Sequence, residues 1–340
     1  MKSPTIRDVA SAAGVSVAVV SRVINQGTGP VAPHTRDRVN TAIEQLGFRP
    51  RAAARSLATG AKMLGLILTD LENPFFARLA DRVVWESRSL ELQVVLMTTR
   101  EDAQLERDIL DQLQDRSVAG IIATPIGINV DKWQRLLDLG IHVTFVDRSV
   151  PGLPIDVVRI ENVDSARTAT DHLLDLGHEQ IGIISGPETT TTGQERITGY
   201  RQAIEARGIE YRSELVHAIR FSGDAGSDAV GALVSLPVPP TALIVANTAQ
   251  VHKALRRLHQ STIRIPSDLS VVVFDDNAWT DLYSPPLTIV RPPVDMLAVH
   301  SLRLVSARLR GLVTEEPRSI SVAAEFVARS STARQSSRRA

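Results

Sequence analysis

With 340 residues, 43% hydrophobic and 22% charged, the chain has the balance of a water-soluble globular protein and too much length for one ordinary core. It contains no cysteine, which excludes a disulfide framework and a thiolate metal site. It also lacks a membrane-length apolar run or a basic-then-apolar leader, so a cytoplasmic location is expected. The formal net charge of zero conceals an asymmetry: residues 1–62 hold nine Lys/Arg against three Asp/Glu, giving +6 there and −6 on the remainder, the distribution of a polyanion-binding module on an acidic body.

The first elements read as three short helices. Thr5 is placed to cap the first, with Asp8 as the capping-box acid and Ile6, Val9, Ala10 and Ala13 forming one apolar stripe. Gly14 ends it, and Ser16 caps a second helix whose inward residues are Val20, Val23 and Ile24. Thr35 caps a third, with Val39, Ala42, Ile43 and Leu46 inside and Gly47 as its stop. Two helices joined by a tight glycine turn, followed by a third, match a helix-turn-helix.

The outward face of the second helix carries Val17, Ala18, Ser21, Arg22 and Asn25. In the major groove, small apolar side chains suit the thymine methyl, and a guanidinium suits a bidentate bond to guanine O6 and N7. Ser21 and Asn25 reach base edges or phosphate. A packing-only bundle with an ordinary solvated face is the alternative, and the basic charge weighs against it.

The run from Thr5 to Asn25, TIRDVASAAGVSVAVVSRVIN, resembles the N-terminal signature of the LacI/GalR family. It departs at Val19, where the family has a threonine, and the loop 26–34 is about one residue longer than is common in the family. The stretch FRPRAAARSLATG resembles the family's hinge helix, which pairs with a second copy in the minor groove. The resemblance implies DNA contacts from Arg51, Ala54 and Leu57, with Leu57 wedging a base step, and from Thr5 and Ser16 in the first module. Arg51 replaces a frequent asparagine; a plain linker with Leu57 buried is the alternative.

Beyond residue 62, apolar runs alternate with amphipathic helical stretches. The runs LGLILTD, LQVVLMT, AGIIATP, HVTFVDR, QIGIISG, TALIVAN and LSVVVFDD are strand candidates. Residues 75–89, 103–114, 163–176, 194–207 and 249–260 are helix candidates. The length suits two doubly wound subdomains with a cleft between them. The resemblance implies the same architecture: an all-α helix-turn-helix domain on an α/β, periplasmic-binding-protein-like core with three crossovers.

The expected division is a DNA-binding domain at 1–49, a hinge at 50–62 and an effector-binding and dimerisation domain at 63–332. Within the last, one subdomain takes 63–161 plus 292–320 and the other 162–291 plus 321–332, with 333–340 a disordered tail.

Ligands of such sheets meet strand carboxyl ends and helix N-termini, which nominates Asp147, Arg148, Thr190, Thr192, Arg196, Asn247 and Asp275. By resemblance, Arg196 and Asp275 pair on ligand hydroxyls or ring atoms, and Phe75, Phe76 and Phe221 supply walls. An interdomain ion pair between Arg196 and Asp275 is the structural alternative. Thr248, Lys253 and Val273 depart from the family pattern. Trp279, Leu282 and Tyr283 are expected interface anchors, with core packing as the alternative.

No P-loop, GxGxxG after a strand, HExxH or acid/base pair occurs, so neither enzyme activity nor a cofactor or metal is expected. The sequence reads as a dimeric transcription regulator, with a tetramer open. It is expected to bind a palindromic operator and to respond to a sugar or related polar metabolite. An effector-independent DNA-binding regulator and a solute-binding protein are the alternatives.

Overall fold

The computed structural model describes residues 6–24, 31–46, 62–115, 118–274, 276–312 and 316–335. The N-terminal module consists of α1 (Ile6–Ala13), α2 (Val17–Ile24) and α3 (Pro33–Leu46). Their apolar stripes meet in a small core in which Val9, Val20 and Val39 are fully buried and Ala10, Ala13, Val23 and Ala42 nearly so.

Gly14 ends α1 in the left-handed region, at φ 64°, and the Val15 amide donates to the Ala10 carbonyl at 3.0 Å. Arg38 on α3 locks the turn by donating to the Ala13 carbonyl and, at 3.3 Å, to the Gly14 carbonyl. Gly14→Ala adds a Cβ in a backbone conformation that costs an L-residue about 1–2 kcal/mol. It also crowds the Arg38 guanidinium, at 2.7 Å from Nη2. The three-helix module is expected to lose stability by about that amount, read as a lower denaturation midpoint.

Two expectations for α3 are corrected. The helix begins at Pro33, whose missing amide suits the first helical position, so Thr35 lies within the first turn and does not cap it. Leu46, expected inside, closes the helix 37% exposed.

The body holds two six-stranded sheets. The first contains β1 (Lys62–Leu68), β2 (Leu92–Thr98), β3 (Gly120–Ala123), β4 (His142–Val146) and β5 (Asp156–Ile160). The second contains β6 (Ile181–Ser185), β7 (Val216–Ala218), β8 (Ala242–Ala246), β9 (Ser270–Phe274) and β10 (Thr288–Arg291). Late in the chain, β11 (Ser319–Val322) joins the first sheet and β12 (Glu325–Val327) the second.

Strand order is β11-β5-β4-β3-β1-β2 in one sheet and β12-β10-β9-β8-β6-β7 in the other. Every pairing is parallel except that of β10 with β12. Central strands β3, β6, β8 and β9 are buried along their whole length, as helix-covered parallel strands must be.

In the first sheet, α4 (Pro74–Ser87) and α11 (Val294–Leu309) cover one face, and α5 (Ala103–Asp115) and α6 (Val130–Asp138) the other. In the second, α7 (Asn162–Asp175) and α8 (Thr191–Ala206) oppose α9 (Ala225–Val234) and α10 (Val251–His259). The chain crosses between sheets three times: from β5 into α7, from β10 into α11 and from β11 into β12. The last crossing falls after Val322, because Ser321 and Val322 are still in register with Arg159 and Ile160.

The expected disordered tail is corrected at its start. The Ala333 amide donates to Ser270 Oγ at 3.1 Å, the Ala333 carbonyl lies 3.0 Å from Nε2 of the buried His178, and the Gln335 amide donates to the Leu176 carbonyl at 2.9 Å. Residues 336–340 lie outside the described residues.

Candidate functional site

Two surfaces carry chemistry. On the N-terminal module, Ser16 Oγ accepts from the Val19 amide at 3.4 Å and so starts α2, which turns its apolar stripe inward. Val17, at 41% exposure, Ala18 and Arg22 project into solvent, with Ser21 half-buried beside them. This face offers two small apolar groups and one forked cation, the chemistry of base-edge reading. Thr5, Asn25, Arg51, Ala54 and Leu57 lie outside the described residues.

The second surface is a cleft of about 210 Å³ between the two sheets, at the carboxyl ends of their strands. Loops after β1, β2 and β4 supply one wall, including Asp70, Asn73, Glu101, Asp147 and Arg148; Thr192, Arg196, Phe221, Thr248 and Phe274 supply the other. Asn73 Oδ1 accepts from the Phe75 amide at 3.1 Å and starts α4, which sets Phe75 and Phe76 edge-to-face at 5.0 Å against the cleft.

Arg148 is held as a fork. Its two terminal nitrogens donate to Glu101 at 2.9 and 2.8 Å, and its guanidinium lies 4.4 Å from the centre of the Phe221 ring, across the cleft. Burial pulls its pKa down, but the hydrogen bonds and charge of Glu101, with Asp147 and Glu106, outweigh that and hold it above the ordinary arginine value.

Arg196 is nearly buried on α8. Its Nε donates to Asn162 Oδ1 at 3.0 Å, one Nη donates to the Ala246 carbonyl at 2.8 Å, and the guanidinium stacks 4.7 Å from the Phe274 ring centre.

Asp147 differs from both. Its backbone is left-handed, at φ 69°, a conformation that strains a residue with a Cβ. Its buried carboxylate makes no hydrogen bond among the described residues; the nearest cation is Arg148 Nε at 3.8 Å. Burial raises its pKa above the ordinary aspartate value, against the opposing pull of Arg148 and Arg196.

A profile described as bacterial regulatory proteins of the lacI family matches residues 5–51, and a periplasmic-binding-protein-like domain profile matches residues 170–332. The transcriptional regulator DegA of Bacillus subtilis is 34% identical over 313 residues, spanning 90% of this chain and 92% of DegA. The chain belongs to the LacI family. Among solved structures, a CelR–cellobiose complex is 30% identical with a TM-score of 0.73, covering 96% of this chain and 99% of its own. The lac repressor dimer bound to operator and the anti-inducer ONPF is 25% identical with a TM-score of 0.73, covering 98% and 100%. This LacI-family chain is thus a transcriptional regulator and not an enzyme.

Of the residues expected at the LacI-family cleft, Phe75, Phe76, Asp147, Arg148, Thr192, Arg196 and Phe221 line it. Thr190 does not: its Oγ1 accepts from the Gly193 amide at 3.2 Å and donates to the Pro187 carbonyl, so it caps α8. Asn247 is fully buried behind the wall, its Nδ2 directed to the Ile219 carbonyl at 3.5 Å, because its neighbour Thr248 takes the cleft-facing position. Asp275 lies outside the described residues.

Trp279 and Tyr283 pack partly on the core of the second sheet, so the core reading fits them better than that of free anchors; Leu282 alone of the three is exposed, at 80%. Sequence reasoning missed Asp70, Asn73, Arg100 and Glu101, although Asp70 and Glu101 follow strand ends by two or three residues, the same signal that found Asp147.

Proposed function

We propose that this regulator binds a palindromic operator as a homodimer and that a neutral, hydroxyl-rich metabolite, most simply a sugar, sets its operator affinity from the cleft. In this reading residues 1–49 read DNA, 50–62 form the hinge, and 63–332 bind the ligand and dimerise, all in the cytoplasm where the operator is. Asp147 is the observation that carries it. Its carboxylate opens on the cleft with no hydrogen-bond donor among the described residues, so a ligand hydroxyl can donate to it there. The two stacked guanidiniums and the Phe75 and Phe76 rings suit a molecule with polar edges and apolar faces. The cellobiose bound to CelR and the operator and anti-inducer bound to the lac repressor support the same reading.

Thermal melting against cellobiose, D-ribose, other sugars and purines tests the ligand half. Stabilisation by a sugar is the expected result, and no stabilisation by any of them leaves an effector-independent regulator.

A ligand hydroxyl that donates to ionised Asp147 lowers its raised pKa, so binding releases a proton. Affinity is therefore expected to weaken as pH falls through the Asp147 pKa of the free protein, which lies above the ordinary 3.8. Asp147→Asn should reduce affinity and flatten that dependence, both read by titration calorimetry. In the free protein the sign is opposite. The fold disfavours the ionised form, so the contribution of this group to stability grows as pH falls through the same value.

A further inference from the structure

A chain of four side chains leads from the cleft to the first crossover between the sheets. Arg196 faces the cleft and donates through Nε to Asn162 Oδ1 at 3.0 Å. Asn162 donates through Nδ2 to Glu195 Oε2 at 3.0 Å and to the Ile160 carbonyl at 3.3 Å. Glu195, through its other oxygen, pairs with Arg159. Arg159 belongs to β5 of the first sheet, Glu195 and Arg196 to α8 over the second, and Asn162 opens α7 two residues after β5 ends.

Asn162 is 1% exposed. Its amide is planar, so the acceptor facing Arg196 and the donors facing Glu195 and Ile160 move as one rigid unit. A displacement of Arg196 must either be followed by Asn162 or leave a buried polar group unpaired. Following it, Asn162 pulls on the last carbonyl of β5 and on the ion pair that spans the crossover.

We propose that Asn162 is the positioning residue that converts ligand engagement of Arg196 into movement at the first crossover, through Glu195 and Arg159. The inference rests on the proposed ligand site and adds its mechanical output. It separates two properties that a merely structural asparagine would lose together: the grip on Arg196 and the coupling to the crossover.

Asn162→Asp tests that separation. An aspartate keeps an acceptor for Arg196 Nε but loses the donor to Glu195 and places a like charge beside it. Glu195→Gln is the second variant, leaving an acceptor for Asn162 while removing the charge that holds Arg159. The measurement is operator affinity with and without saturating cellobiose or D-ribose, whichever stabilises the wild type, alongside calorimetric affinity for that sugar. A typical coupling changes operator affinity roughly 5- to 150-fold in the wild type.

The relay predicts that both variants keep sugar affinity within about threefold while the sugar-driven change in operator affinity falls below about twofold. Should Asn162→Asp fail to fold, Glu195→Gln carries the same expectation. Full coupling in either folded variant overturns the relay and leaves the ligand site intact. Loss of sugar affinity in parallel with coupling marks Asn162 as structural and also overturns it. A wild type that binds neither sugar nor any other compound in the thermal screen overturns the ligand site and the relay together.

Discussion

Arg22→Ala is expected to weaken binding to the specific operator by about 1–3 kcal/mol per half-site, the worth of one bidentate guanidinium–guanine contact. Discrimination at one base pair of each half-site should relax with it. The side chain is exposed on the outward face of α2, one turn along from Val17 and Ala18, while Val20 and Val23 on the opposite face hold the helix in its core. Removing an exposed side chain from such a helix leaves the fold untouched, so the loss reports recognition alone. The shape of the loss decides its cause. A phosphate contact would weaken all sequences alike and lower the salt slope, whereas a base contact weakens the preferred sequence and spares the others. Equal loss on every duplex would remove Arg22 from the base-reading set.

Arg196→Ala is expected to reduce sugar affinity by about tenfold to a few hundredfold, the range for a charge-assisted hydrogen bond with a buried partner left behind. Its side chain lies against Phe274 and satisfies both the Asn162 amide and the Ala246 carbonyl at the end of β8. Truncation leaves those two acceptors short of a donor and opens the space beside the ring, so the melting temperature should fall as well. Arg196→Lys distinguishes charge from geometry. Lysine keeps the charge but cannot direct separate donors to Asn162, to Ala246 and to a ligand. Affinity close to wild type in the lysine variant would reduce the role of Arg196 to its charge. Titration calorimetry with the sugar that stabilises the wild type reads both variants.

The elements that periodicity made legible are those with a long apolar run or one apolar helix face. β1, β2, β3, β4, β6, β8 and β9 each carry a long apolar run, and the five body helices named from the sequence each carry one apolar face. Strands at the other three sheet edges, β7, β11 and β12, escaped notice because they lack that signal. β7 has three residues, β11 alternates exposed with half-buried positions, and β12 has one exposed and two half-buried positions; tertiary pairing defines them more than composition does. α11 is absent from the sequence reading for a different reason. Its buried residues Leu297, Ala298, Ser301, Leu302, Leu304 and Val305 form one face, but serines stand within that face and the apolar Met296 and Val299 lie outside it, which blurs the contrast.

The cleft was legible where a strand end falls next to a charged residue, as at Asp147 and Arg148. It was not legible where a residue's role depends on a neighbour. Thr190 looks like a ligand hydroxyl until Gly193 takes it as a cap, and Asn247 looks like a cleft residue until Thr248 proves to be the one that turns outward. The outward face of α2 was legible in its exposure, since Val17, Ala18 and Arg22 lie opposite the apolar stripe of Val20 and Val23 that holds the helix in its core.

Selection of bound duplexes from a randomised pool, at a fixed moderate salt concentration, tests the central claim most directly, since phosphate contacts make affinity depend steeply on salt. The expected result is enrichment of a two-fold palindrome whose half-sites each contain a guanine that Arg22→Ala no longer selects. Enrichment of no sequence, with and without the stabilising sugar, would contradict it.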